Sequence, residues 1–235
     1  MRAIDDNLQA VRGRIARAAE AAGRDPGSVT LLAVSKTHPV ALVEQALAAG
    51  QSAFGENYVQ EAVEKMDALS GRVGEERTRA LEWHLIGPLQ SNKTRIVAER
   101  FNWVHSVENG KIARRLSEQR PRGLPPLNVL IQVNVSGEAS KSGVAPEEVL
   151  SFAKEISALP RLKLRGLMAI PEPGAGVERY RLLKNLYEKL KCEFRFDTLS
   201  IGMSDDMEVA IAEGSTMVRI GTAIFGARQK VRSAA

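Results

Sequence analysis

The chain has 235 residues, 44% hydrophobic and 26% charged, an ordinary globular composition with enough apolar material to bury a sizeable core. No apolar run approaches the ~18–20 residues of a membrane span, and the first residues lack both the apolar stretch of a signal peptide and the acid-poor character of a transit peptide, so a cytoplasmic address and no membrane partner are expected. The net charge of +5 comes from 33 basic residues scattered among 28 acidic ones with only 5% aromatics, which leaves few stacking platforms and argues against a nucleic-acid partner.

A helix is predicted over residues 3–22, where Ile4, Leu8, Val11 and Ile15 recur at three- and four-residue spacing, with Gly23 and Pro26 ending it. VTLLAVS (29–35) reads as the first strand, and a helix follows over 39–49 between Pro39 and Gly50. SAFG (52–55) and a helix over 57–69 repeat the pattern. A polar, mobile-looking stretch around 71–80 then leads to the third strand, EWHLIG (82–87). Helix 88–99, strand NWVHSV (102–107), helix 109–119 and the connector PRGLPP lead to LNVLIQVNV (127–135). Helix 146–158, strand KLRGLMAI (163–170), helix 177–191, strand DTLSIG (197–202), helix 204–213 and strand TMVRIG (216–221) complete the series. Cys192, the only cysteine, follows the helical stretch YRLLKNLYEKLK and reads as a bland thiol; alone it excludes a disulfide within the chain.

Near-continuous apolar strands alternating with helices suit a parallel sheet buried on both faces. Eight of them argue for closure into an α/β, TIM-type (β/α)8 barrel. One domain over 1–235 is expected, with an N-terminal helix about 3–22, the barrel about 29–226 and a short C-terminal tail. The alternative is an open doubly wound sheet, and the lack of G-x-G-x-x-G after the first strand counts against it.

Barrels of this kind carry their chemistry at the C-terminal ends of strands. Those ends offer Lys36, Asn57, His84, Ser106, Asn134, Met168, Ser200 with Ser204, and Arg219 with Thr222. Lys36 ends an apolar strand, where desolvation favours the neutral amine that forms imines. A lysine whose stem covers the barrel rim while its head reaches water fits that position equally well. Two small-residue turns, Gly202-Met203-Ser204 and Gly221-Thr222-Ala223, fall after strands seven and eight, where barrels often bind phosphate. Ser204 as a simple helix cap and Gly221 as a simple strand end are the plainer readings, and it is the pair of turns that favours phosphate. Arg219, inside the last strand, either reaches the surface or faces inward as a permanent cation able to meet a ring nitrogen or a carboxylate. His84, between Trp83 and Leu85, reads as a hydrogen-bonded core histidine. Neither His38 nor His105 makes metal spacing with it, so no metal is expected. The basic residues of QSNKTR (90–95) read as a solvated helix face.

The segments LLAVSKTHPV, AFGENYVQEAVEKM, WHLIGPLQSNKTR, NVLIQVNVSGEASKSG, LRGLMAIPEP and SIGMSDDMEVAIAEGSTMVRIGTAIFGAR span nearly the whole chain. In them it resembles the pyridoxal 5′-phosphate (PLP) homeostasis proteins, the YggS/PROSC-like family. The resemblance implies the barrel of alanine racemase without that enzyme's additional β-domain, PLP as cofactor, a part in vitamin B6 balance, and no well-established reaction. It makes Lys36 of V-S-K-T the PLP lysine. It matches Ser200, Gly202, Met203 and Ser204 to the phosphate motif, and Arg219, Gly221 and Thr222 to V-R-I-G-T, with the arginine near the pyridine nitrogen. Asn57 of F-G-E-N joins the pocket. Lys141 of S-K-S-G is similar to a second PLP-reactive lysine, although an exposed loop lysine is the safer reading. Two departures are Leu85 where an aromatic is expected and Glu108-Asn109 where Asp-Arg is usual.

Three functions compete. The first is a PLP-binding homeostasis protein without robust turnover, a monomer meeting PLP-dependent apo-enzymes by transient contact. The second is a PLP-dependent racemase or decarboxylase. Racemase chemistry needs a base on each face of the cofactor, one a tyrosine from the missing domain, and only Tyr58 of the three tyrosines lies near a strand's C-terminal end. The third is a Schiff-base aldolase that uses the same lysine without PLP.

Overall fold

Eight short strands pair in sequence order, each parallel to the next, and the last returns to the first to close the barrel. They are β1 Thr30–Val34, β2 Ala53–Glu56, β3 Glu82–Leu85, β4 Trp103–Val107, β5 Leu127–Gln132, β6 Leu162–Met168, β7 Thr198–Ser200 and β8 Met217–Ile220. The structure, a computed structural model, describes residues 2–138 and 141–227. Closure is set by the register of β8 on β1, with Leu32 opposite Arg219. Side chains alternate across the wall, as the period of two requires. Leu31, Ala33, Phe54, Leu85, Val104, Val129 and Ile131 belong to the main core under the helices. Inside the barrel, Leu32, Val34, Ala53, Ile86 and Met217 form one apolar cluster, and Trp103, Leu130 and Met168 another.

The helices are α1 Arg2–Ala21, α2 Val40–Ala48, α3 Val59–Val73, α4 Glu75–Thr78, α5 Thr94–Arg100, α6 Gly110–Gln119, α7 Val149–Ser157, α8 Val177–Phe194, α9 Met207–Ala212 and α10 Thr222–Phe225. Ile4, Leu8, Val11, Ile15 and Ala19 of α1 are all buried, each large one worth ~1.5–3 kcal/mol of transfer from water. That face packs on α2, α9 and α10, and Asn7 donates from Nδ2 to Ile224 O at 2.9 Å. The N-terminal helix thereby pins the last turn of the barrel mouth. No helix among the described residues is long and apolar enough to cross a membrane.

The eight expected strands all form, with ends shifted by up to three residues, whereas the helical segments depart from expectation at four places. The helix expected over 88–99 starts only at Thr94. Before it, Gly87 lies so close to the backbone of Asn57 that an added Cβ would sit 2.3 Å from Asn57 O. Pro88 also disfavours a helical conformation at Gly87. The helix expected from 204 starts at Met207, because residues 204–206 form a turn in which Asp206 accepts the Met203 N–H at 2.5 Å. The polar stretch 71–80 is largely helical, split by Gly74 at φ +86°. After β8, a single turn of helix, α10, replaces the simple strand end.

The turn that follows β1 carries Lys36 and is tightly held. Ser35 N donates to Gly55 O at 3.0 Å, and His38 N closes the turn on Ser35 O at 3.1 Å. Thr37 has φ +64°, a left-handed conformation that β-branched residues avoid. Its N–H donates to Glu61 Oε1 at 2.5 Å. Lys65, one helical turn further along α3, donates to Ser35 O at 2.6 Å, Glu56 Oε1 at 2.8 Å and Glu61 Oε1 at 2.6 Å. The Ser35 hydroxyl adds a 2.7 Å bond to the same Glu56 oxygen. Glu56 is fully buried, and burial pushes its carboxyl upward against the opposing pull of Lys65. An ion cluster from β2 and α3 thus fixes a strained turn that the β1 sequence alone would not hold.

Lys65→Met strands the Glu56 carboxylate in the interior and is expected to cost about 3–5 kcal/mol. Glu56→Leu added to Lys65→Met removes both charges and should recover most of that loss. Urea denaturation checks both, and equal losses in the single and double variants would contradict the ion-pair account. Gly87→Ala is expected to destabilise by about 1–3 kcal/mol through overpacking. Gly71→Ala, in α3 with open space around the new methyl, should gain about 0.5–1 kcal/mol. Thermal melts that rank the two glycines the other way would refute the close approach of Gly87 to Asn57.

Candidate functional site

The cavity at the C-terminal mouth of the barrel has a volume of about 210 Å³. Lys36 enters it from the turn after β1, half-buried, with Asn57 after β2 as a second lining residue. Met203 and Ser204 after β7, and Arg219, Gly221 and Thr222 of β8 and α10, line the same space. Seven of the nine expected pocket residues are therefore brought together in one cavity.

Arg219 faces inward, which settles the choice left open above. It is buried, and Nη1 donates to Ser200 O and Ser200 Oγ, both at 2.8 Å, while Nη2 donates to Ala169 O at 2.9 Å. Burial lowers its pKa to about 10, partly opposed by the charge of Asp206, so it remains a cation at neutral pH. Its acceptors are two carbonyls and a hydroxyl, none of which cancels the charge. With Lys36 and Arg219 against Asp205, the lining carries a formal surplus of positive charge, suited to an anionic ligand.

Ser200 and Gly202 lie outside the cavity lining and act one layer behind it. Ser200 is fully buried and serves as an acceptor for Arg219. Gly202 has φ +102°, and a Cβ there would sit 2.5 Å from Ala210 Cβ, so only glycine lets α9 pack against this turn. Gly202 O in turn accepts the Arg219 N–H at 3.0 Å. Ser204 does not cap α9; its carbonyl accepts from Arg14 of α1 at 3.2 Å. At the other turn, a Cβ on Gly221 would approach Val34 O to 3.1 Å. The first N–H groups of α10, at Thr222 and Ala223, have no intrahelical acceptors.

Several lining residues escaped the sequence reading. Val34, His38, Ile86, Ile170 and Asp205 all border the cavity. His38 is buried against Phe225, ring centroids 5.3 Å apart. Ile170 is 45% exposed although apolar. The available signal was positional: Ile86 and Ile170 lie within two residues of a strand's C-terminal end, as Lys36 does.

The remaining strand-end candidates are structural. Ser106 donates to Gly87 O at 2.6 Å, and Met168 packs inside the barrel beside Trp103. Asn134 braces its own loop through Gly137 N, Glu138 O and Lys141 O. His84 is a fully buried core histidine bonded to His105. Lys141 is exposed and outside the cavity lining, next to residues 139 and 140, which lie outside the described residues. Cys192 is an exposed free thiol. Asn109, one of the two departures, caps α6 by accepting the Ile112 N–H at 3.0 Å, and Leu85, the other, is plain core. Among the described residues no group of His, Cys, Asp and Glu could hold a metal ion.

The residues present fit a flat, phosphorylated aldehyde. Lys36 offers an amine, Arg219 a fixed cation, and Ile86 and Ile170 apolar surface, while the buried Asn57 Oδ1 has no hydrogen-bond partner among the described residues. A buried acceptor left without a donor on the wall of a cavity is ordinarily met by water or a ligand.

Comparison with known proteins agrees. The profile of the alanine racemase N-terminal domain matches residues 7–229. The pyridoxal phosphate homeostasis protein of Pseudomonas aeruginosa is 58% identical over 230 residues, 97% of both chains. That of Escherichia coli K12 is 54% identical over 233 residues, 97% of this chain and 98% of the other. Among solved structures, PipY of Synechococcus elongatus with PLP bound is 34% identical with a TM-score of 0.80, covering 95% of this chain and all (100%) of that one. The chain belongs to the pyridoxal phosphate homeostasis proteins, a family built on the alanine racemase N-terminal domain.

Proposed function

We propose that this protein binds PLP at the barrel mouth, as a Schiff base on Lys36, and serves PLP homeostasis in the cytoplasm without robust turnover. The observation that carries this reading is that Lys36 and the buried cation Arg219 line one cavity with the small-residue turn Gly221-Thr222. Bound there, PLP supplies an aldehyde to an amine and a pyridine ring that, when protonated, draws off electrons. Lys36 anchors the cofactor. Ser204, Gly221 and Thr222 receive the phosphate, with Met203, whose N–H is held by Asp206, lining the cavity beside them, and Asn57 meets a polar group of the ring or of its water shell. Ser200 and Gly202 support these residues from behind, Ser200 through Arg219 and Gly202 through the fold of the turn.

Arg219 decides the character of the site. A guanidinium that stays charged disfavours a second positive charge beside it, so it keeps a neighbouring ring nitrogen unprotonated and weakens the ring as an electron sink. None of the three tyrosines lines the cavity: Tyr58 is exposed, Tyr180 donates to Asp206 at 2.6 Å and Tyr187 to Phe196 O at 3.3 Å. The site therefore suits storage and transfer of PLP by a monomer in brief contact with apo-enzymes, better than racemisation or decarboxylation.

Addition of PLP to purified protein should produce visible absorbance, and borohydride should fix the adduct on Lys36, as read by peptide mass spectrometry. Lys36→Ala should lose both signals; wild-type-like colour and affinity in that variant would overturn the assignment. A colourless protein that takes up no PLP would favour the aldolase reading. Sustained amino-acid turnover, lost in Lys36→Ala, would favour the racemase or decarboxylase reading.

A further inference from the structure

Below the mouth, a row of buried polar side chains crosses the barrel interior from β8 to the start of β3. Arg219 Nη1 donates to Ser200 Oγ at 2.8 Å, and Ser200 Oγ lies 3.2 Å from His105 Nδ1. His105 Nε2 is 2.9 Å from His84 Nδ1, and His84 Nε2 is 3.7 Å from a carboxylate oxygen of Glu82. Ser200, His105 and His84 are fully buried, whereas Glu82 reaches the surface at the opposite end of the barrel. His84 stacks on Trp103, centroids 5.1 Å apart and planes 8° from parallel. Arg165 covers the other aromatic partner of this layer, 4.6 Å above the Trp103 ring centroid.

Burial holds both imidazoles neutral, and the Arg219 charge adds to this at His105. Each ring then carries one N–H, and the protons have two self-consistent orders. In one, the Ser200 hydroxyl donates to His105 Nδ1, His105 Nε2–H to His84 Nδ1, and His84 Nε2–H points at the Glu82 carboxylate. In the reverse order Ser200 Oγ receives two donors and its own proton has no acceptor among the described residues. The reverse order also sets the His84 Nε2 lone pair against the anionic Glu82. A buried donor without a partner and a lone pair facing a carboxylate are both unfavourable. The first order satisfies the Ser200 proton and turns the His84 Nε2–H, not its lone pair, toward the Glu82 carboxylate. At 3.7 Å that carboxylate lies beyond hydrogen-bond reach and acts on it only as a charge.

We propose that His84, His105 and Ser200 form a proton-ordered chain in which Ser200 gives its proton to His105 and keeps Oγ as an acceptor that orients the Arg219 guanidinium in the mouth. His84 and His105 are positioning residues; the direction is set at the Ser200 end, and the charge of Glu82 at the far end favours the same order. The consequence for cofactor binding rests on the PLP reading above; the proton order does not.

Nitrogen-15 NMR of the histidine rings tests this on the intact, unloaded protein. At neutral pH both His84 and His105 should be Nε2–H tautomers with bare Nδ1 atoms, and an Nδ1–H form at either would overturn the proposal. Glu82→Leu leaves the Ser200 end intact, so both Nε2–H tautomers should hold, and turnover at either ring would overturn the proposal. Glu82→Leu combined with Ser200→Ala removes both constraints and should let the tautomers mix; a fixed order in that double variant would overturn the chain. PLP affinity should hold in Glu82→Leu and fall about three- to tenfold in Ser200→Ala, as for loss of one neutral hydrogen bond. Unchanged PLP affinity in Ser200→Ala would overturn the link from the chain to Arg219. Should no variant take up PLP, the cofactor reading fails while the tautomers still decide the proton order.

Discussion

A guanidinium buried in a barrel mouth is tolerated only if its donors find acceptors, and the acceptors of Arg219 are the carbonyls of Ser200 and Ala169 and the Ser200 hydroxyl. Because none of these is charged, the cation is stabilised without being neutralised. That choice propagates through the site. The uncancelled charge favours an anionic ligand, disfavours a protonated ring nitrogen, and helps to keep His105 neutral. A carboxylate paired with Arg219 would cancel its charge and weaken all three effects.

A second constraint sets where the amine stands. Lys36 follows β1 on a turn with Thr37 in the left-handed region, a conformation that persists only where surroundings over-determine it. The over-determination comes from the next βα unit. Glu56 ends β2, Glu61 and Lys65 occupy successive turns of α3, and together they bind the Ser35 carbonyl, the Ser35 hydroxyl and the Thr37 N–H. Lys36 and Arg219 are thus fixed by different means, one by a buried ion cluster and the other by neutral dipoles. They meet because β1 and β8 are neighbours in the closed sheet.

The barrel was legible because its signals are local and repeated: apolar runs of strand length separated by helical periodicity. Lys36, Arg219 and the Gly221 turn were legible for a positional reason, since they sit at strand ends where barrels keep their chemistry. The close approach of Gly87 to Asn57 was not, because the two are remote in sequence and adjacent only through β2–β3 pairing. Ser200 showed its type and place but not its job, which depends on the inward turn of Arg219. The Lys65 cluster and the His84–His105 pair were hidden for the same reason. Each reads as an ordinary surface or core residue until the barrel closes and brings its partner, from another strand or helix, within hydrogen-bond reach.

The central claim is that the charge of Arg219 lets the site hold PLP without making it an electron sink. The direct measurement is the nitrogen-15 chemical shift of the ring nitrogen in protein loaded with labelled PLP at neutral pH. The account predicts an unprotonated pyridine nitrogen, and a pyridinium shift would contradict it.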